Sequence, residues 1–326
     1  MGKQVVDRES KYPEERSRIW RPKESFSVLL EKIGTKKIEG LVLDMNMLRN
    51  SDMAVIEANT FEKMYNLRLL KLSGVQLSGT SKAFPKKLRW LYWHGFPSAS
   101  FPNDFPLVNL VSLDMRYSNL KQLWKGTKVL GSLKILNLSH SPKLAKTPNF
   151  SRIPNLEKLV LKACSSLFEV DESIAKLQRI ESLNLQDCIN LRKLPRNIGM
   201  VKSLVEIDIS GCSNLMGAME ELGKMKSLQV LNASGMDINR VLTVEVVSQA
   251  SIWPWVPKSR VQMSLASLPS SLVRLDLSNC NLTEDAFPRD LKLSKLQELC
   301  LDGNPISSLP NFINDLTVRC IGKSNV

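Results

Sequence analysis

Six cysteines are the residues of this sequence whose type and spacing could do chemistry: Cys164, Cys188, Cys212, Cys280, Cys300 and Cys320. Three of them, Cys164, Cys188 and Cys212, stand 24 residues apart. On adjacent strands of a parallel sheet their Cα atoms would be about 5 Å apart, close enough for a metal site. The alternative is a buried ladder of small side chains, which we favour because zinc sites usually use C-x-x-C pairs and none occurs here. We therefore expect reduced thiols, no metal and no other cofactor.

The histidines and the glycine spacing give little support to catalysis or nucleotide binding. His94 and His140 are the only histidines, and neither stands in an arrangement with serine or cysteine that is typical of a catalytic triad. A phosphate-binding loop needs G-x-x-x-x-G-K-S/T, in which the lysine reaches the phosphates. The nearest match runs from Gly126 to Gly131 but continues with serine and leucine. We expect a protein that is not an enzyme and has no small-molecule substrate.

The elements that would position any functional residue are set by an internal repeat. The pattern Leu-x-x-Leu-x-Leu recurs at spacings of 21 to 24 residues, with one gap of 44 that fits a repeat plus an insertion. A weaker copy begins at Ile38. The ten clear copies start at Leu67, Leu88, Leu110, Leu133, Leu156, Ile180, Leu204, Leu228, Leu272 and Leu296. A period of about 20 to 29 residues with this signature is typical of leucine-rich repeats.

The repeat predicts an α/β leucine-rich-repeat solenoid, a horseshoe of about ten to eleven repeats whose parallel strands line the concave face. The fourth and sixth positions of each repeat are apolar and should point inward, whereas the third, fifth and seventh should point outward. At the ninth position the chain must satisfy backbone groups as it leaves the strand. That column reads Ser118, Ser141, Cys164, Cys188, Cys212, Cys280 and Asn304, with Val75, Phe96 and Met236 as exceptions.

One repeat carries a cluster of aromatic residues at outward positions. Trp90, Tyr92 and His94 occupy its third, fifth and seventh positions, and Arg116 is the seventh residue of the next repeat. Exposed aromatic rings beside an arginine are typical of protein-binding hot spots. Packing against an adjoining domain of a longer protein is the alternative that the sequence leaves open.

Charge divides the chain into a basic front and a balanced rear. Residues 1–200 carry 33 Lys and Arg against 19 Asp and Glu, whereas residues 201–326 carry 12 against 13. On the strands the front shows Lys71, Lys158 and Lys162. The rear shows the acids Glu206, Asp208, Asp276, Glu298 and Asp302. Either the front docks on an acidic surface or the pattern is merely solvated. Without an aromatic-interleaved basic motif or an apolar run of membrane length, we expect neither nucleic acid nor membrane as a partner.

The insertion at about residues 240–265 contains Trp253 and Trp255 among prolines. Two prolines forbid a regular helix or strand, so we expect a loop there. The loop would either contact a partner or fold back over the flank of the solenoid, and we favour the second.

Several phrases of the sequence resemble one family. MGKQVVDRESKYPEERSRIW, from Met1, is similar to the segment that ends the nucleotide-binding module of plant TIR-type nucleotide-binding leucine-rich-repeat disease resistance proteins. LRWLYWHGFPSASFP from Leu88, LVSLDMRYSNLKQLW from Leu110 and LKILNLSHSPKLAKTPNF from Leu133 look like the early repeats of that family. The resemblance covers nearly the whole chain, and leucine-rich repeats in general do not share these phrases.

The resemblance implies a longer intracellular immune receptor, in which a TIR domain and a module that switches between ATP and ADP precede the repeats. The repeats would hold the switch off until a pathogen effector or a guarded host protein is perceived. The expected partners are therefore such a protein and the receptor's own nucleotide-binding module, on which the basic front would dock. The expected location is the cytoplasm, with the nucleus as a second compartment. The rival is a free-standing scaffold of the Ras-binding or ubiquitin-ligase adaptor type.

The same resemblance suggests domain boundaries. Residues 1–24 would be the end of the winged-helix and nucleotide-binding part with its linker. Residues 25–66 would form an atypical first repeat and an N-terminal cap, residues 67–320 the repeats with their insertion, and residues 321–326 a tail.

Overall fold

Short parallel strands lie where the repeat pattern occurs. The computed structural model describes residues 2–48, 53–126, 128–237, 243–246, 259–262, 265, 268–283, 286–288, 291, 293–306 and 318–320. The chain divides into a first unit, Met1–Leu144 with Pro148–Val160, and a second unit, Ala145–Thr147 with Leu161–Val326. Each unit contains a series of parallel strands.

The first unit begins with two helices, α1 (Gly2–Asp7) and α2 (Pro22–Leu30). Its strands are β1 (Arg18–Ile19), β2 (Gly40–Asp44), β3 (Ala54–Glu57), β4 (Leu69–Ser73), β5 (Val75–Ser78), β6 (Trp90–His94), β7 (Ser112–Asp114), β8 (Ile135–Asn137) and β9 (Lys158–Val160). The sheet runs in parallel order β1-β2-β4-β6-β7-β8-β9. Strands β3 and β5 form a separate parallel pair. Short 3-10 helices cover residues 13–15, 45–48, 58–61 and 81–83.

The second unit contains α3 (Ala218–Leu222) and 3-10 helices at residues 172–176 and 198–200. Its strands are β10 (Ser182–Asn184), β11 (Glu206–Asp208), β12 (Val230–Asn232), β13 (Thr243–Val246), β14 (Ser259–Gln262), β15 (Arg274–Asp276), β16 (Glu298–Cys300) and β17 (Val318–Cys320). The parallel order is β10-β11-β12-β15-β16-β17.

The long gap between two copies of the pattern is one repeat plus an insertion, as predicted. Strand β12 pairs directly with β15, and Val230 lies opposite Arg274. Within the gap, β13 and β14 form an antiparallel pair on either side of the predicted proline-containing loop. Trp253 and Trp255 lie outside the described residues, so their expected position stays a prediction.

The predicted inward positions form the core. In β6 Leu91 and Trp93 are at most 1% exposed, and in β8 and the residue after it Leu136 and Leu138 are fully buried. Burying one such side chain contributes roughly 1.5–3 kcal/mol, so repetition along the sheet supplies much of the folding free energy. Each copy of the pattern coincides with a strand, the weak copy from Ile38 included. The fold is thus the predicted α/β leucine-rich-repeat solenoid, while the number of repeats stays a prediction.

The ninth positions are buried, and serine, cysteine and asparagine side chains there form hydrogen bonds between coils. In the second unit the Sγ of Cys188 donates to the carbonyl oxygen of Leu161 at 3.2 Å, and the Sγ of Cys212 donates to that of Leu185 at 3.0 Å. Burial, the largest influence, raises the pKa of Cys212 to about 12, so the thiol keeps the proton it donates. Metal ligation needs a thiolate, and this arrangement therefore favours the buried-ladder interpretation of the cysteines.

The N-terminal segment is integrated into the first unit. Arg16 is 6% exposed, and its guanidinium lies 2.9 Å from Glu24 and 3.6 Å from Asp7. Ile19 is fully buried where β1 joins the sheet beside β2. The expected boundary between residues 24 and 25 falls inside α2, and part of the segment assigned to a linker already belongs to the sheet. Its origin as the end of a nucleotide-binding module stays a prediction.

Candidate partner-binding face

The aromatic residues singled out from the sequence lie at outward positions of β6. Trp90 is 37% exposed, and Tyr92 and His94 are half-buried. Their neighbours Leu91 and Trp93 point into the core, which confirms the predicted register. Tryptophan and tyrosine suit such a position because a large ring fits a pleated, half-buried surface.

An acidic residue that the sequence analysis did not single out organises this face. Asp114, the last residue of β7, is only 6% exposed although its position points outward. Its Oδ1 lies 3.2 Å from Nε2 of His94 and accepts a hydrogen bond from Nε of Arg116 at 3.0 Å. A guanidinium nitrogen of Arg116 also lies 3.4 Å from Nε2 of His94. The structure thus brings His94 and Arg116 together through one carboxylate.

The surroundings of Asp114 keep it ionised. Burial, the largest influence, would raise the pKa of Asp114, but hydrogen bonds from His94 and Arg116 together with the positive charge of Arg116 outweigh it. The net effect is a pKa below the ordinary value. His94 and Arg116 are consequently held in fixed positions with a charged anchor, which lowers the conformational entropy they would lose on binding a partner.

The local fold explains why an acid stands at this position. Oδ1 of Asp114 also accepts a hydrogen bond from the backbone N–H of Arg116, two residues further along the chain, at 3.3 Å. The same type of turn occurs in the next repeat. There the side-chain oxygen of the fifth residue, Asn137, accepts the backbone N–H of the seventh, Ser139, at 3.0 Å. Aspartate and asparagine favour such turns because their short side chains reach the backbone two residues on. The recurring Asp or Asn at the fifth position was the signal that could have identified Asp114.

Two stacked aromatic residues adjoin the cluster. Tyr117 follows Arg116, and its ring lies 4.8 Å from that of His140, with the planes inclined by 12°. Both residues have left-handed backbones, with φ of 61° and 57°. Gly74 and Gly95 occupy the equivalent eighth positions of two earlier repeats, also with positive φ. A bulky residue is strained there, by about 1–2 kcal/mol, and such strain is often retained at functional sites.

The basic residues expected on this face differ in their exposure and in whether an acidic residue pairs with them. Lys71 lies opposite Tyr92 in the sheet, and its ammonium is 3.7 Å from Asp44. Lys158, the first residue of β9, is exposed. Arg116 is held by Asp114, as described above. Lys162 is half-buried in the second unit, so the face of the first unit contains only part of the expected set.

Most of the acidic residues on the strands of the second unit form hydrogen bonds or ion pairs within that unit. Asp208 and Asp276 each close a turn by accepting a backbone N–H, from Ser210 and Ser278, at 3.0 Å. Glu298 lies 3.1 Å from Arg274. Oδ1 of Asp302, by contrast, is buried without a hydrogen-bond partner in the part of the chain that the structure describes. Glu206 is exposed at the first position of β11, as Lys158 is on β9.

Replacing Asp114 with asparagine should make folding stability less dependent on acid pH. The folded-state pKa of Asp114 is depressed, so its stabilisation is present above the unfolded pKa and is lost as pH falls through the folded pKa. We expect Asp114→Asn to unfold at lower urea concentration than the parent at pH 7, and the difference to shrink as pH falls towards about 3. Chemical unfolding at a series of pH values measures this.

The matched control for this change is Asp276→Asn, at the equivalent position of another repeat. Asp276 closes the same type of turn, and asparagine does so naturally at Asn137 and Asn232. The control should therefore alter stability little at either pH. A difference between Asp114→Asn and the parent that is constant over the pH range would show that the carboxylate's charge is unimportant.

Two further features bear on what this chain can do. Among the described residues, no group of three or more His, Cys, Asp or Glu side chains is placed to hold a metal ion. The described helices include none that is long and apolar enough to cross a membrane.

The fold and the family comparisons agree on the class of protein. Family models described as Leucine Rich Repeat match residues 109–128 and 271–292. Together with the strand register and the buried columns, they define a leucine-rich-repeat domain. The fold and the sequence relatives described next indicate a non-enzymatic repeat domain.

The sequence relatives of this chain are plant disease resistance proteins. The chain is 41% identical to disease resistance protein RPP2A of Arabidopsis thaliana over 182 residues, which are 53% of this chain and 14% of the relative. It is 35% identical to disease resistance protein RPV1 of Vitis rotundifolia over 51% of this chain and 14% of the relative. It is 36% identical to TMV resistance protein N of Nicotiana glutinosa over 53% of this chain and 15% of the relative. The chain is thus similar to part of several plant disease resistance proteins, and the matched part spans about one-seventh of their length.

Solved structures support the fold alone. The structure of TLR13 in complex with ssRNA13 is 20% identical, with a TM-score of 0.53, and the match covers 83% of this chain and 36% of that one. Mouse RP105 in complex with MD-1 is 17% identical, with a TM-score of 0.51, over 88% of this chain and 42% of that one.

Proposed function

We propose that this chain is the protein-recognition and autoinhibitory module of an intracellular plant immune receptor. Its partners would be a pathogen effector or guarded host protein and the receptor's nucleotide-binding module. The proposal is supported by the similarity to plant disease resistance proteins and by the sheet surface of the first unit. Repeat surfaces of this kind generally serve to bind proteins.

One observation carries the proposal: aromatic and charged side chains are concentrated at outward positions of β6 and β7. Trp90 and Tyr92 offer ring surface, and Asp114 holds Arg116 beside them. Tryptophan, tyrosine and arginine are the residue types most enriched at binding hot spots. Ring surface with a prearranged guanidinium suits a protein partner that carries apolar and acidic groups.

Truncating the two rings should weaken partner binding without unfolding the chain. We expect Trp90→Ala with Tyr92→Ala to reduce affinity for the nucleotide-binding module, or for the perceived protein, by about 2 kcal/mol or more, roughly thirtyfold. The side chains point outward, so the circular dichroism spectrum of the repeats should persist. Titration calorimetry with purified partner measures the change.

The matched control removes two exposed rings that lie away from the strands. Tyr12 is 62% exposed and Tyr65 is 53% exposed, and both belong to turns of the first unit. Tyr12→Ala with Tyr65→Ala should leave affinity unchanged within about twofold. Equal losses from both double variants would argue against the proposed face.

A further inference from the structure

A cavity of about 670 Å³ lies on the flank of the second unit, outside its strands. Residues 190–196 form one side of it, and residues 214–221 form the other. A volume of this size is ordinary for sites that bind small molecules, which typically measure about 300–1,000 Å³. The cavity takes no part in the proposed partner-binding face.

One wall of the cavity carries three cations. Arg192, Lys193 and Arg196 are exposed, whereas Leu191, Leu194 and Pro195 beside them in the sequence are buried, so the charged side chains point outward. The backbone of Arg192 is fixed because its carbonyl oxygen accepts from the N–H of Met216 in the next coil at 2.9 Å. The cations therefore stand on a rigid part of the coil.

These three cations lack carboxylate partners among the described residues. The nearest engaged acid is Glu172, whose carboxylate accepts the backbone N–H of Arg196 at 3.0 Å and forms no described ion pair with its guanidinium. A cavity with unpaired guanidinium groups has an excess of positive charge and favours an anion.

The acids on the opposite wall do not neutralise that charge. Glu221 lies 2.8 Å from the ammonium of Lys224, and Glu220 lies 3.7 Å from the same group. Their charge is thus partly balanced by a lysine outside the cavity lining. The walls differ in sign, so an anionic group would bind next to Arg192 and Arg196.

The remaining lining suits a compact polar molecule. Asn190 and Asn214 donate their side-chain N–H groups to the carbonyl oxygens of Ser165 and Ile189, at 2.7 Å each. These bonds fix the amides and leave their side-chain oxygens as acceptors for hydroxyl groups. Met216 adds a half-buried apolar surface between the two walls.

We propose that this flank cavity binds a soluble phosphorylated polyol, with the phosphate held by Arg192 and Arg196. Guanidinium groups match phosphate oxygens in a paired, bidentate geometry, and the asparagine amides accept the hydroxyls. The ligand class follows from the charge excess, the cavity volume and the polar lining. This site is independent of the protein-binding face.

Titration calorimetry of the full chain with glucose 6-phosphate, glucose and inorganic phosphate tests the proposal. Glucose 6-phosphate should bind at least tenfold more tightly than either of the other two. Arg192→Glu with Arg196→Glu should lower its affinity at least tenfold. Arg192→Lys with Arg196→Lys keeps the charge but loses the paired donors, and it should show a smaller loss.

The matched control reverses two exposed lysines of the same unit that do not line the cavity, Lys202 and Lys226. Lys202→Glu with Lys226→Glu makes the same change in net charge and should keep affinity within about twofold. Thermal unfolding confirms that both double variants fold. Equal losses from the two, or glucose or phosphate binding as tightly as glucose 6-phosphate, would overturn the proposal. So would the absence of binding at millimolar concentration.

A final arm separates a soluble ligand from a lipid headgroup that carries the same phosphate. The full chain is mixed with vesicles containing phosphatidic acid in the presence of glucose 6-phosphate. We expect no vesicle binding that depends on Arg192 and Arg196. Vesicle binding that both arginines require and that glucose 6-phosphate displaces would assign the site to a headgroup and overturn the soluble source.

Discussion

Replacing Asn304 with alanine is expected to destabilise the second unit by about 3 kcal/mol or more. Asn304 is 5% exposed at the ninth position of its repeat. Its Nδ2 donates to the carbonyl oxygens of Leu277 and Leu301, at 2.8 and 2.9 Å. Its Oδ1 accepts from the backbone N–H groups of Cys280 and Leu282, at 2.9 and 3.0 Å. Alanine would leave four buried backbone groups without partners, each costing about 1–3 kcal/mol before relaxation.

The informative companion to this change is Asn304→Cys. Cysteine occupies the same column at Cys280, where its Sγ donates to the carbonyl oxygen of Ala233 at 3.1 Å. Cysteine can therefore replace one of the four bonds and fill part of the space, so it should be less destabilising than alanine. Urea unfolding with hydrogen exchange of residues 277–282 measures both. A loss below about 1 kcal/mol for Asn304→Ala would show that water replaces the side chain.

The columns that run through every coil were predictable from the sequence. Leu136 and Leu159 are buried because each lies at the fourth position of a repeat, whatever surrounds it. The burial of Cys188 and Asn304 follows from the ninth position in the same way. Such positions depend only on the geometry of one coil, and the repeat length fixes that geometry.

The candidate face was predictable only in part, because it depends on contacts between coils. The register of β6 placed Trp90 and Tyr92 outward, as predicted. Asp114 is buried because two longer side chains cover it. His94 comes from the preceding coil, and Arg116 comes from the same coil as Asp114. The alternation of side chains along a strand predicts that an outward aspartate is exposed. Its burial becomes visible only from the directions of the neighbouring side chains across the sheet.

The structure also changes the interpretation of the charge pattern, because several charged side chains form contacts within the chain. The sequence contrasted a basic front with a balanced rear whose strands carry acids, as if each charge faced solvent. Asp208 and Asp276 are instead used to close turns, and Glu298 is paired with Arg274. Glu206 and Lys158 remain the comparable exposed pair, since each is the first residue of its strand. Any test of the charge asymmetry should therefore compare these two.

Reversing the three lysines that the sequence places on the basic front is expected to abolish most association with the nucleotide-binding module. In the proposed receptor that module precedes the repeats, so the basic first unit is where it would dock. Exposed charge pairs contribute roughly 0.2–1 kcal/mol each, and reversal turns attraction into repulsion. Lys71→Glu, Lys158→Glu and Lys162→Glu together should weaken binding by about 1–4 kcal/mol, roughly fivefold to almost a thousandfold. Arg116 is left intact because a glutamate there would face the buried Asp114.

The single changes Lys158→Glu and Glu206→Lys form the matched test of this idea. Both residues are exposed at the first position of a strand, so steric effects should be similar. Lys158→Glu should weaken association, and Glu206→Lys should change it little. Exposed charges are screened over about 8 Å at physiological salt, so parental binding should also fall as ionic strength rises, mainly through a slower association rate. Stopped-flow mixing of the two purified parts at several salt concentrations measures this rate. Equal effects of the two single changes, or binding indifferent to salt, would mean that the basic front is only a solvated surface and that autoinhibitory docking uses other contacts.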